Sequence, residues 1–201
     1  MRRAGILLAS LLLLVGCSSD TPEGELSATV VPDRPFEIGA QPLTDTDGGQ
    51  VVLADDTGGK RLTLVFFGYT QCPDICPATM QTIASAMTRL SEEDREQVGM
   101  AFVTTDPTTD TPQVLRRYLD RFDPEFVGLT APLPELVELG RTVGIYVSEG
   151  QEGQPLTEED RGAHGTQVLA LDASGEVPAY WNQETSSAEY AADIHLLLGQ
   201  D

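Results

Sequence analysis

The chain has 201 residues, 40% of them hydrophobic and 6% aromatic, which suits one globular domain with a single core and gives no sign of a second. Its formal charge of −20 excludes a nucleic-acid-binding role, because the phosphate backbone would repel it. Acidity also serves solubility, so the charge identifies no partner by itself.

The opening MRRAGILLASLLLLVG places Arg2 and Arg3 before an apolar run over residues 6–15, too short to span a bilayer and built like an export signal. Leu14, Val15 and Gly16 lead into Cys17 in the manner of a bacterial lipobox, where cleavage precedes a cysteine that carries a diacylglyceryl group. The expectation is a signal peptide over residues 1–16 and a lipid anchor on Cys17, holding the protein at the extracytoplasmic face of the bacterial cell membrane. Loss of Arg2 and Arg3 takes the mature chain to −22. The segment SSDTPEGELSATVVPDRP is polar and aperiodic, so residues 17–35 read as a flexible tether and residues 36–201 as the folded domain.

Residues 61–69, RLTLVFFGY, form a continuous β-rich apolar run, as in a central strand covered on both faces. Pro77 then suits the first turn of a helix whose apolar stripe is Met80, Ile83, Ala84, Met87 and Leu90. These methionines read as core residues rather than metal ligands. VGMAFVTT supplies a second buried strand and TPQVLRRYLDRF a second helix, starting near Pro112. Two βα units in succession imply a parallel pair.

Residues 133–143 read as a further helix and residues 144–147 as a short strand, before the long polar loop SEGQEGQPLTEEDRGAH. Residues 167–171 and 177–181 flank the turn signal DASGE and read as a β-hairpin, and a last helix fits residues 186–198. This order is that of an α/β thioredoxin-like fold: a central mixed sheet flanked by helices, with earlier strands such as VVL at residues 51–53 added as an N-terminal β extension.

With Cys17 lipidated, Cys72 and Cys76 are the only thiols left, and an extracytoplasmic site lets them cycle with a disulfide bond or hold a soft metal when reduced. Pro77 disfavours helical geometry at Cys76, so Cys76 is expected at the helix cap, near free N–H groups that favour a thiolate. Two thiolates suit Cu(I), and one imidazole would complete a three-ligand site; whether Cu(II) is also bound stays open. Of the two histidines, His195 lies among Ile194 and three leucines and reads as a helix-flank residue. His164 closes the long loop and is the better ligand candidate. Zinc would want a fourth protein ligand, which the chain does not readily supply.

The stretch FFGYTQCPDICPATM resembles the signature of the Sco/SenC family. The resemblance extends to DPTTDTP at residues 106–112 and to His164 in HGTQVLALD, and it covers the chain from about Phe36 to its end. It implies a thioredoxin-like metal-binding protein that takes copper on Cys72, Cys76 and His164 and helps assemble the copper site of cytochrome c oxidase. The implied partners are the copper-site subunit of that oxidase, a thiol reductant or another copper chaperone, and the membrane through its lipid anchor. Within DPTTDTP, Asp110 or Thr111 reads as a helix cap, and Asp74 as a turn residue or a modulator of the site.

Two functions use the same sulfurs: a copper chaperone, which is not an enzyme, and a thiol-disulfide oxidoreductase with Cys72 and Cys76 as its redox pair. The three-residue spacing differs from the C-x-x-C of an ordinary thioredoxin. A peroxidase of the peroxiredoxin kind needs one activated thiolate rather than two cysteines each followed by proline, and a loop-pinning disulfide would close too small a ring to stabilise much. His164 discriminates, because disulfide exchange does not require it.

Overall fold

The structure, a computed structural model, describes residues 24–32, 35–55, 57–151 and 154–199; the expected signal peptide and Cys17 lie outside the described residues. Strands β1 (Thr29–Val30), β2 (Phe36–Glu37), β3 (Leu43–Asp45) and β4 (Gln50–Val51) precede the long strand β5 (Leu62–Gly68). Next come α1 (Ile75–Met87), α2 (Glu92–Gln97), β6 (Val98–Thr104) and α3 (Pro112–Leu119). β7 (Val127–Thr130), α4 (Leu133–Thr142) and the short α5 (Glu158–Gly162) lead to β8 (Val168–Asp172), β9 (Glu176–Val177), β10 (Ala179–Trp181) and α6 (Ser187–Leu198).

The main sheet has the order β1-β10-β8-β5-β6-β7-β3-β4, with β5, β6 and β7 parallel and the other neighbours antiparallel. This is the mixed sheet of the expected thioredoxin-like fold, and β1, β3 and β4 form the N-terminal extension at its two edges. β2 pairs with β9 in a separate ribbon.

Every residue of β5 is buried. Leu62, Leu64 and Phe66 point to the side filled by Met80 and Ile83 of α1 and Ile194 of α6, whereas Val65 and Phe67 point to the side filled by Leu136 and Leu139 of α4. A strand covered on both faces needs no polar alternation, which is why its sequence is a continuous apolar run. Each large side chain buried in this way contributes about 1.5–3 kcal/mol.

Several local expectations need correction. Residues 144–147 form no strand: Gly144 has φ +71°, and only Val147 is bridged, to His164. A left-handed residue breaks the extended backbone there. The second arm of the expected hairpin splits at Pro178, which cannot donate a ladder hydrogen bond, so β9 turns to β2 while β10 stays on β8. The fold also reaches upstream of Phe36. Ser27 N and Oγ, Ala28 N and Trp181 Nε1 all donate to the buried Asp193 carboxylate, docking β1 against β10 and shortening the expected tether.

Candidate metal centre

The cysteines lie where β5 delivers the chain into α1, at the carboxyl ends of the parallel strands β5 and β6, a position that α/β sheets commonly use for ligands. The helix begins earlier than expected. Asp74 is the N-cap, with no side-chain cap bond, and Cys76 and Pro77 both stand in the first turn. Pro77 is tolerated because first-turn N–H groups have no acceptor within the helix.

The Cys76 N–H donates to Cys72 Sγ at 3.3 Å, and Cys72 is half-buried. Cys76 is fully buried, and burial pushes its thiol up, reinforced by its hydrogen bond with Cys72 and opposed by a backbone hydrogen bond from Tyr69. Burial thus works against the low-pKa thiolate expected at Cys76. Both cysteines are free thiols.

Gly68 makes room for the inner sulfur, since a Cβ there would lie 3.0 Å from Cys76 Sγ and 3.1–3.2 Å from the rings of Phe66 and Phe102. The loop itself is tied down by Asp110, whose carboxylate accepts Thr70 N at 2.9 Å, Thr70 Oγ1 at 2.5 Å and Thr104 Oγ1 at 2.8 Å. Asp110 is fully buried, and burial raises its pKa against the lowering effect of these hydrogen bonds. The expected cap is Thr111, which accepts Val114 N, so Asp110 is a clamp rather than a cap.

His164 arrives from the far side. Its backbone is bridged to Val147, Gly165 N donates to Tyr146 O at 2.9 Å, and Ser148 N donates to Ala163 O at 3.1 Å. The imidazole Nδ1 lies 2.8 Å from Gly165 O. A carbonyl can only accept, so Nδ1 carries the proton and Nε2 keeps the lone pair a metal would use. Burial lowers the His164 pKa below 6.5, favouring the same neutral form.

Tyr69 joins the two halves. Its ring meets the His164 ring edge-on at 6.0 Å, and its hydroxyl hydrogen-bonds Cys72. Burial holds the phenol above its ordinary pKa, and the neighbouring Cys72 and Cys76 sulfurs act in the same direction, so it remains a donor. Among the described residues, however, no group of three Cys, His, Asp or Glu side chains stands close enough to hold a metal ion. Cys72 and Cys76 are together; His164 is next to them through Tyr69 but is not in their shell. His195 is elsewhere, its Nδ1 2.9 Å from Asp94 Oδ2, consistent with a helix-flank residue. Asp74 is exposed at its turn.

Sequence reasoning passed over Tyr69, Gly68 and the clamp role of Asp110. All three stand in the motifs that carry the resemblance, but their contacts become visible only in the fold.

A thioredoxin-like sheet with a C-x-x-x-C thiol pair at the start of α1 and a histidine loop beside it defines a thiol-bearing, metal-competent member of that fold class. The chain belongs to the SCO1/SenC family, whose model matches residues 33–199. A putative copper-binding protein from Stutzerimonas stutzeri is 32% identical over 145 residues, 72% of this chain and 71% of that one. Protein sco1 of Schizosaccharomyces pombe is 29% identical over 161 residues, 80% of this chain and 60% of the fission-yeast protein, so the chain spans less than two thirds of that relative. The structure of Bradyrhizobium japonicum ScoI with copper bound superposes with a TM-score of 0.64 at 28% identity, covering 79% of this chain and 98% of that one.

Proposed function

We propose that this protein is a copper chaperone of cytochrome c oxidase assembly: it takes copper on Cys72, Cys76 and His164 and passes it by ligand exchange to the copper-site subunit of the oxidase. The observation that carries this reading is the pairing of two adjacent reduced sulfurs with a neutral, Nε2-available imidazole held against the same tyrosine. Two sulfurs and one nitrogen form a soft, low-coordinate set suited to Cu(I). Because His164 starts outside the ligand shell, metal capture includes a movement of its loop. That arrangement suits transfer, since a ligand that moves in can also move out.

The N-terminal part of the reading is membrane anchoring through a lipidated Cys17 at the extracytoplasmic face. Mass spectrometry of the membrane fraction tests it, with a diacylglyceryl-modified Cys17 as the expected N-terminus and an unmodified, secreted chain as the contrary result.

One observation favours a second reading, a thiol-disulfide oxidoreductase acting on the oxidase copper-site cysteines or another exported protein. Cys72 is accessible while Cys76 is buried behind it, an arrangement suited to attack by one sulfur and resolution by the other. An anaerobic Cu(I) titration against a competing chelator separates the two, using the parent, Cys72→Ser, Cys76→Ser and His164→Ala. The chaperone reading expects one tightly held ion per chain and weakened binding in all three variants. Full affinity in either serine variant rules it out, and full affinity in His164→Ala with lost thiol exchange in the serine variants favours the oxidoreductase.

A further inference from the structure

Among the described residues, the loop that presents His164 makes a charged contact with the DPTTDTP segment through Arg161 and Asp106, and Asp106 and Asp110 are the buried residues of that segment. Asp106 is 2% exposed, and its Oδ2 has no hydrogen-bond partner among the described residues. It faces Arg161 Nε at 3.6 Å, an ion pair longer than a hydrogen bond. The rest of Asp106 is fixed: its N–H donates to Thr104 Oγ1, and its carbonyl accepts the N–H groups of Thr109 and Asp110. It therefore belongs to the network in which Asp110 ties down Thr70, two residues before Cys72.

Arg161 stands on α5, three residues before His164, with Nη1 donating to Leu156 O at 3.2 Å. α5 has no buried residue, so apolar packing does little to hold it. It nonetheless lies over the site, since a Cβ placed on Gly162 would be 3.8 Å from the Tyr69 hydroxyl.

We propose that the Asp106–Arg161 ion pair is a positioning latch for His164, holding α5 against the cysteine side so that the imidazole stays within a short loop movement of the two sulfurs. The inference rests on His164 being a copper ligand. A buried carboxylate left without a counter-charge is costly, which draws Arg161 inward. At 3.6 Å no hydrogen-bond geometry fixes the pair, so it can follow the loop as His164 closes on the metal. Neither residue needs to touch copper for this role, which makes both positioning residues.

The test is a double-mutant cycle on the full chain in detergent, with Arg161→Gln, His164→Ala and the pair combined, read by anaerobic Cu(I) competition. A second readout needs no metal: the NMR cross-relaxation between the Tyr69 and His164 rings. Arg161→Gln is expected to weaken Cu(I) binding roughly tenfold, the scale of a lost supporting contact, and to weaken the ring cross-peak. In the Arg161→Gln background, His164→Ala should then cost much less than in the parent, while Arg161→Lys restores most of the affinity. Unchanged affinity and an unchanged cross-peak in Arg161→Gln overturn the latch, as do losses that multiply independently in the combined variant. If His164→Ala weakens copper binding while Arg161→Gln does not, the latch alone fails. If His164→Ala binds as the parent does, the ligand assignment falls and takes the latch with it.

Discussion

The two loops that meet at Tyr69 are built differently. The cysteine loop leaves a fully buried strand, enters a 13-residue helix with six buried residues, and is clamped by three hydrogen bonds to a buried carboxylate. Among the described residues, the histidine loop is held by one isolated bridge, a few hydrogen bonds such as Ser148 Oγ to Asp160 Oδ1, a five-residue helix with nothing buried, and two ion pairs at 3.6 Å, Arg141–Glu149 and Arg161–Asp106. The sulfurs are thus fixed in place by the core, whereas the nitrogen is adjustable. A carrier that must hold copper firmly and then release it is served by such asymmetry, in which two ligands are preorganised and the third completes or opens the site.

Removing a preorganised ligand should disturb the site most. Cys72→Ser or Cys76→Ser should lower Cu(I) affinity by more than about a hundredfold, beyond what losing a supporting contact costs, as read by chelator competition. Next in size is the clamp. Asp110→Ala strands three donors in the interior and should cost about 3 kcal/mol of unfolding free energy in urea, with Asp110→Asn costing less. Gly68→Ala should destabilise by about 1–3 kcal/mol, because the added methyl meets Cys76 Sγ and two aromatic rings.

The histidine loop should respond differently. Its amides over residues 158–165 are expected to exchange with deuterium well before those of β5 and β6, through local opening rather than global unfolding. Equal protection of the two regions would remove the asymmetry. The smallest expected effect is on pH dependence. Burial depresses the His164 pKa below 6.5, so as pH falls through that value the unfolded chain takes up a proton that the folded chain resists. The metal-free parent should therefore lose stability, on the order of a fraction of a kcal/mol, between 6.5 and the folded pKa of His164, and His164→Ala should not.

The same difference explains what could be read from sequence. β5, α1 and the thiol pair were legible because their signals are local: a continuous apolar run, a helical stripe, and two cysteines four residues apart. The cap expected at Asp110 or Thr111 stands at Thr111, whereas the clamp role of Asp110 is hidden because its partner Thr70 is 40 positions away. Cys76 is expected at the cap because Pro77 suits a helix start, whereas α1 begins two residues earlier, at Ile75. α2, six polar residues behind the Ser91 cap, and β7, which starts on the exposed Val127, carry too little periodicity to stand out. α5 had a usable signal in the capping box of Thr157 and Asp160.

The docking of residues 27–30 through Asp193 also bears on experiment: a soluble fragment cut at Phe36 would lose β1, whereas one beginning near Ser18 keeps it.

Copper is expected to join the rigid sulfur pair to the adjustable histidine. X-ray absorption at the copper edge, on the Cu(I)-loaded parent and on His164→Ala, tests it most directly. Two sulfur ligands and one nitrogen are expected in the parent, with the imidazole scattering lost and the two sulfurs retained in the variant. A sulfur-only shell in the parent, or identical spectra for the two proteins, would contradict it.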